Sequence, residues 1–120
     1  MLRDISRHII VGSIAMSGQG PMTEAMYYIL LALLKPGHGY GMMQRIKELS
    51  SGRIIMGPGT LYGVLTRMQK DGWIVLVTEE DRRKNYAITD EGRRALIAEY
   101  GRIKCMLADG KMLEDESDEA

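Results

Sequence analysis

Arg82, Arg83 and Lys84 form a run of three cations, and Thr60, Tyr62, Thr66, Arg67 and Lys70 put hydroxyls and cations within one short stretch. The chemistry such residues do is recognition. Lysine and arginine neutralise phosphates and release their counterions, while hydroxyl and guanidinium groups hydrogen-bond to backbone oxygens and base edges. Tyr40 adds a hydroxyl with reach to a phosphate. Gly63 leaves a gap that suits either close approach of a duplex or close helix packing.

Other chemistry finds little material. His38 stands between glycines with no second His or Cys at ligand spacing, so it reads as a turn residue with a local hydrogen bond. No Ser-His-Asp or Cys-His arrangement is visible. Glu79/Glu80 and Asp90/Glu91 fall at a turn and at a helix start, where solvation and capping account for them. Gly37, Gly39 and Gly41 lack the strand–GxGxxG–helix setting of a phosphate loop. Cys105 reads as small apolar filler. The expectation is a binding protein: no enzyme, no metal, no cofactor.

The chain has 120 residues, enough for one domain with one core. Its formal net charge is zero, yet the charge is unevenly placed. Residues 35–94 carry 11 Lys/Arg against 7 Asp/Glu, whereas residues 95–120 carry 3 against 7. A basic centre beside an acidic tail is a local field of the kind that governs encounter with phosphate. A single cysteine fits a reducing compartment, which makes a cytoplasmic location the expectation. No apolar run approaches the roughly 18 residues of a membrane span. Residues 9–16, after Arg3 and Arg7, resemble a secretory signal only faintly, because the apolar part is short. Phe is absent and Met occurs ten times, mostly as core filler, with a minority available to line a pocket.

The elements that must position these residues follow from caps and periodicity. Residues 1–21, with SGQGP at their end, read as a flexible extension in which Met16 is a possible natural start. A first helix is expected over Met22–Leu34, capped by Thr23 and apolar nearly all round, which calls for burial on several sides and for a second copy of the chain to cover the surplus. A second helix, Tyr40–Ser50, places Met42, Met43, Ile46 and Leu49 at core spacing. Arg53–Met56 is a strand candidate. Pro58 opens a third helix that runs to Asp71, with Leu61, Val64, Leu65 and Met68 inward. Strands at Trp73–Thr78 and Asn85–Ile88 flank a charged tip, Glu79–Lys84. Thr89 caps a fourth helix reaching Leu107 or Ala108, and LEDESDEA is expected to fray.

Three helices, a hairpin and a long helix make a mainly α winged helix-turn-helix with an added C-terminal dimerisation helix, spanning residues 22–108, followed by an acidic tail at 109–120. The stretches TEAMYYILLALL, HGYGMMQRIKELSSG, GPGTLYGVLTRMQKDGWI and RRKNYAITDEG, in that order, resemble the PadR family of bacterial transcriptional regulators, in its small form with a short last helix. That resemblance implies a homodimeric repressor on a palindromic double-stranded DNA operator, released by a small effector. Its recognition-helix positions fall on Thr60, Tyr62, Gly63, Thr66, Arg67 and Lys70, and its wing positions on Arg82, Arg83, Lys84 and Tyr86.

The dimer is expected from the first helix (Met26, Ile29, Leu30, Leu33) and from the seam Leu96, Tyr100, Ile103, Leu107, whose spacings of 4, 3 and 4 suit helix–helix packing. Trp73 is a core or interface anchor, or the wall of a pocket for an apolar or aromatic effector. The rival reading is a winged-helix module that binds protein and not DNA, for which apolar anchors would be needed on the outer face of the third helix.

Overall fold

The computed structural model describes residues 22–119, so the expectations for the N-terminal extension lie outside the described residues. Helix α1 spans Glu24–Ala32; the Met26 N–H donates to Thr23 Oγ1 at 3.1 Å, the predicted cap. Its C-terminal carbonyls are satisfied from a distance: Arg45 Nη1 donates to Ala32 O and, at 3.1 Å, to Lys35 O. A buried helix end needs such donors.

The chain then forms β1 (Gly37–His38) where the glycines predict a turn. Helix α2 (Gly39–Leu49) follows, and its inward residues are Met42 and Ile46; Leu49, expected in the core, is exposed. Ser51 and Gly52 turn the chain with φ of 54° and 80°. The expected strand at Arg53–Met56 does not form. Ser50 Oγ accepts the Ile54 N–H at 2.9 Å, and Met56 drops into the core, so this segment closes on α2 instead of joining a ladder. Arg53 ties the turn to α1 through Glu24 (3.0 Å) and the Tyr28 hydroxyl (2.8 Å).

Helix α3 (Pro58–Lys70) begins as its proline suggests and buries Leu61, Leu65 and Met68. Gly72, at φ 84°, releases the chain into β2 (Ile74–Glu80), which pairs antiparallel with β3 (Arg83–Ile88). The hairpin is longer and tighter than expected. Its tip is two residues, Asp81 and Arg82, both at positive φ (51° and 67°), the backbone handedness that matches strand twist. Strand β1 adds to the other edge of β3, Gly37 opposite Tyr86 and His38 opposite Asn85, giving the order β1-β3-β2.

Thr89 caps α4 (Asp90–Asp109): its hydroxyl accepts the Gly92 N–H (3.0 Å) and donates to Gly72 O (2.7 Å). A Cβ on Gly92 would overlap the Trp73 carbonyl, so only glycine lets this helix start so close to the hairpin. After Gly110 a short helix α5 (Met112–Glu119) forms where fraying was expected. The architecture is mostly helical with a small three-stranded antiparallel sheet, a winged helix-turn-helix.

The core unites α1, α2, α3, the sheet and the first half of α4 through Ile29, Leu30, Leu33, Met42, Ile46, Leu61, Leu65, Met68, Ile74, Tyr86 and Leu96. Each such large side chain contributes about 1.5–3 kcal/mol on burial. Helix α1 buries Ile29, Leu30 and Ala32 within this one chain, while Ala25, Met26, Tyr27, Tyr28 and Leu31 stay only partly covered. No helix among the described residues is long and apolar enough to cross a membrane.

Candidate nucleic-acid interface

Helix α3 turns its Leu61–Leu65–Met68 side to the core, which leaves Gly59, Thr60, Tyr62, Gly63, Thr66, Arg67 and Lys70 on the surface. Gly59, Gly63, Thr66 and Lys70 recur at spacings of 4, 3 and 4, and so form the ridge opposite the core. Gly63 is now decided: a Cβ there would meet nothing within 4 Å, so packing inside the protomer does not require the glycine. Gly59 is equally open, and sequence reading missed it although the four-residue spacing was the available signal.

The flanks of the ridge are polar and partly pre-ordered. Thr66 Oγ1 donates to Tyr62 O at 2.9 Å, which turns the hydroxyl's lone pairs outward. Arg67 pairs with Asp71 at 3.6 Å, an exposed contact that solvent screens and a stronger anionic partner can displace. The Tyr62 ring lies over the start of α2, where a Cβ on Gly39 would overlap its hydroxyl. Tyr40, more exposed, holds its hydroxyl 3.5 Å from Gln44 Nε2, which donates to it.

Between α3 and the hairpin runs an open cleft of about 510 Å³. The hydroxyl-bearing residues Tyr40, Tyr62 and Thr66 line it from α2 and α3, together with His38 and Gly39, and Asp81, Arg82, Arg83 and Lys84 line it from the hairpin tip. The fold thus gathers residues more than 40 positions apart into one groove. Glu79 stands opposite Lys84 and Glu80 opposite Arg83 across the hairpin, yet neither closes an ion pair among the described residues. The three cations are exposed and available to an anion that enters.

The structure corrects two groups of expected site residues. Tyr86, expected as a wing contact, is a core residue at 6% exposure, because β3 turns it inward between β1 and β2; only its remaining surface lines the cleft. Ile29, Leu30 and Leu33 are fully buried and Leu96 nearly so, all within one protomer, so they cannot form a dimer seam. Met26 is half-buried against the core. Past Leu96 the same stripe of α4 emerges from the domain, and Tyr100 (56% exposed), Ile103 and Leu107 (66%) stand open with Met106 beside them. Buried Glu99, on this side of α4, is held by Arg102, whose Nε donates at 3.0 Å; that hydrogen bond raises the guanidinium's already high pKa. Tyr27 of α1 is raised too, first by burial, then by the neighbouring Tyr100, Tyr28 and Glu99.

Trp73 is half-buried against the core, its carbonyl accepting the Thr89 N–H at 3.0 Å, and it lines neither of the two clefts beside the hairpin tip. His38, expected as a turn residue with a local hydrogen bond, makes that bond as the cap of α2: its Nδ1 accepts the Gly41 N–H at 3.2 Å, and the residue lines the cleft.

The family described as the transcriptional regulator PadR-like family matches residues 29–98. A 37.1 kDa protein in transposon TN4556 of Streptomyces fradiae is 34% identical over 77 residues, 63% of this chain and 22% of its own length. The transcriptional regulator YqjI of Escherichia coli is 32% identical over 59 residues, 49% of this chain and 28% of its own. The chain therefore spans about a quarter of the length of these relatives. Among solved structures, Bacillus subtilis PadR in complex with operator DNA superposes with a TM-score of 0.55 at 26% identity, over 63% of this chain and 46% of that one.

Proposed function

From the premise that the chain belongs to the PadR-like family of transcriptional regulators, we propose that it binds duplex DNA sequence-specifically, as a homodimeric repressor on an approximately palindromic operator. Helix α3 enters the major groove with its Gly59–Gly63–Thr66–Lys70 ridge leading. Arg67, Thr60 and Lys70 contact base edges or phosphate, and Arg82, Arg83 and Lys84 neutralise the backbone beside the groove. The observation that carries this reading is the cleft that sets the hydroxyls of Tyr40, Tyr62 and Thr66 across from the three wing cations. Small and polar residues on the outer face of α3, in place of apolar anchors, favour DNA over a protein partner.

The homodimer rests on the uncovered stripe Tyr100–Ile103–Leu107, an apolar seam that a two-fold copy of the same helix would bury. An apolar or aromatic effector, implied by family resemblance, would act in a cavity between protomers beside the half-buried Trp73. Titrating Trp73 fluorescence with phenolic and cationic aromatic compounds tests that part; silence from all of them counts against it.

Selection of bound sequences from a random duplex pool tests the whole. The expected product is an inverted repeat with half-sites about 10 base pairs apart or a multiple of that. A chain that enriches nothing and ignores duplex DNA at low ionic strength refutes the proposal.

A further inference from the structure

We propose that His38 is a DNA-backbone contact, donating a hydrogen bond from Nε2 to a phosphate oxygen of a duplex lying in the α3–wing cleft. The inference rests on the functional reading above and adds to it a residue of a different kind, an imidazole whose orientation the fold sets.

A neutral imidazole carries one donor and one acceptor, and which nitrogen is which depends on its partners. Here the N-terminus of α2 decides. Nδ1 accepts the Gly41 N–H at 3.2 Å, so in the neutral ring the proton resides on Nε2. The ring cannot wander far, because β1 pairs His38 with Asn85 on β3 while the cap holds its other side. Among the described residues nothing occupies Nε2, and the ring lines both clefts beside the wing. The groups around it are Tyr40 and Tyr62 from α2 and α3 and Arg82, Arg83 and Lys84 from the wing, with Glu80 and Asp81 at the wing's acidic edge. An anion drawn in by the three cations meets this held imidazole in the same cleft.

The alternative role, helix capping alone, is separable by substitution. Asn and Ser cap helices well but are too short to present a donor where Nε2 lies. His38→Asn and His38→Ser are therefore expected to keep the thermal midpoint close to that of the wild type. Both should weaken binding to a duplex from the random-pool selection by roughly tenfold, the worth of one hydrogen bond. Neutral methylphosphonates placed singly along that duplex add a readout that capping cannot move: one position per half-site should weaken the wild type and leave His38→Asn no weaker than it already is. Wild-type affinity in both variants, or a methylphosphonate profile identical for wild type and variant, would overturn the inference while leaving duplex binding intact. A wild-type chain that binds no duplex would overturn the functional reading and this inference with it.

Discussion

Gly63→Ala separates what the fold wants at this position from what a duplex would want. The residue lies in the interior of the 13-residue helix α3, on its exposed side, and an added Cβ meets nothing within 4 Å. In the free protein the only change is helix propensity, which favours Ala over Gly by about 0.8–1.0 kcal/mol. For a folded unit of this size the thermal midpoint should rise by roughly 4–8 °C per kcal/mol. In the complex the same methyl must fit between helix and groove. Overpacking a close interface costs typically about 1–3 kcal/mol, which is roughly 5- to 150-fold in affinity at 1.4 kcal/mol per decade. The assay is fluorescence anisotropy on the selected duplex at fixed salt, paired with thermal unfolding followed by circular dichroism. Gly101→Ala is the control: that glycine, in α4, is equally open, so the variant should gain similar stability and lose no affinity. A Gly63→Ala protein that is more stable and binds as tightly as the wild type refutes the argument that the ridge of α3 lies against the duplex. One that gains no stability refutes the propensity reasoning instead.

Replacing Arg82, Arg83 and Lys84 together by Ala should flatten the salt dependence of binding by up to about 3 in slope per protomer, at about 0.9 per phosphate contact; an unchanged slope removes the wing from the interface. Gly92→Ala places a Cβ against the Trp73 carbonyl and should lower the urea midpoint by an amount worth about 1–3 kcal/mol with an unchanged m-value; a wild-type midpoint would mean the helix start can shift freely. Ile103→Asp with Leu107→Asp should convert a dimer to a monomer by light scattering while the protomer's circular dichroism is kept, since both side chains are exposed within one protomer; a dimer that survives both charges is held by another surface.

Local signals in the chain were enough for most elements. Thr23 and Thr89 stand before their helices and cap them, Pro58 opens α3, and the inward stripe Leu61–Leu65–Met68 is written in its spacing. Caps and periodicity act over three or four residues, so they survive reading without a structure. The outward residues of α3 other than Gly59, the hairpin-tip cations and the exposed Tyr100, Ile103 and Leu107 of α4 were legible from the same short-range patterns. Gly37–His38 was legible as a break but not as a strand, because two residues show no alternation and their pairing partners, Tyr86 and Asn85, lie far along the chain. Arg53–Met56 looked like a strand because its apolar content is local, while the Ser50 side chain that captures its backbone acts only once α2 has formed.

What only the folded chain decided is which of two apolar surfaces a residue serves. Sequence says that Ile29, Leu30, Leu33 and Leu96 must leave water; it cannot say whether their cover is the same chain or a copy of it, since burial is non-directional and depends only on what packs there. Packing α4 across α1 took those four inside and left Tyr100, Ile103 and Leu107 out. The same long-range assembly drew Tyr86 into the core, held His38 Nδ1 at a helix start, and gathered the wing cations with the hydroxyls of α2 and α3 in one cleft. Residue types are encoded one position at a time, but a cleft is a relation between segments that meet only after the core has closed.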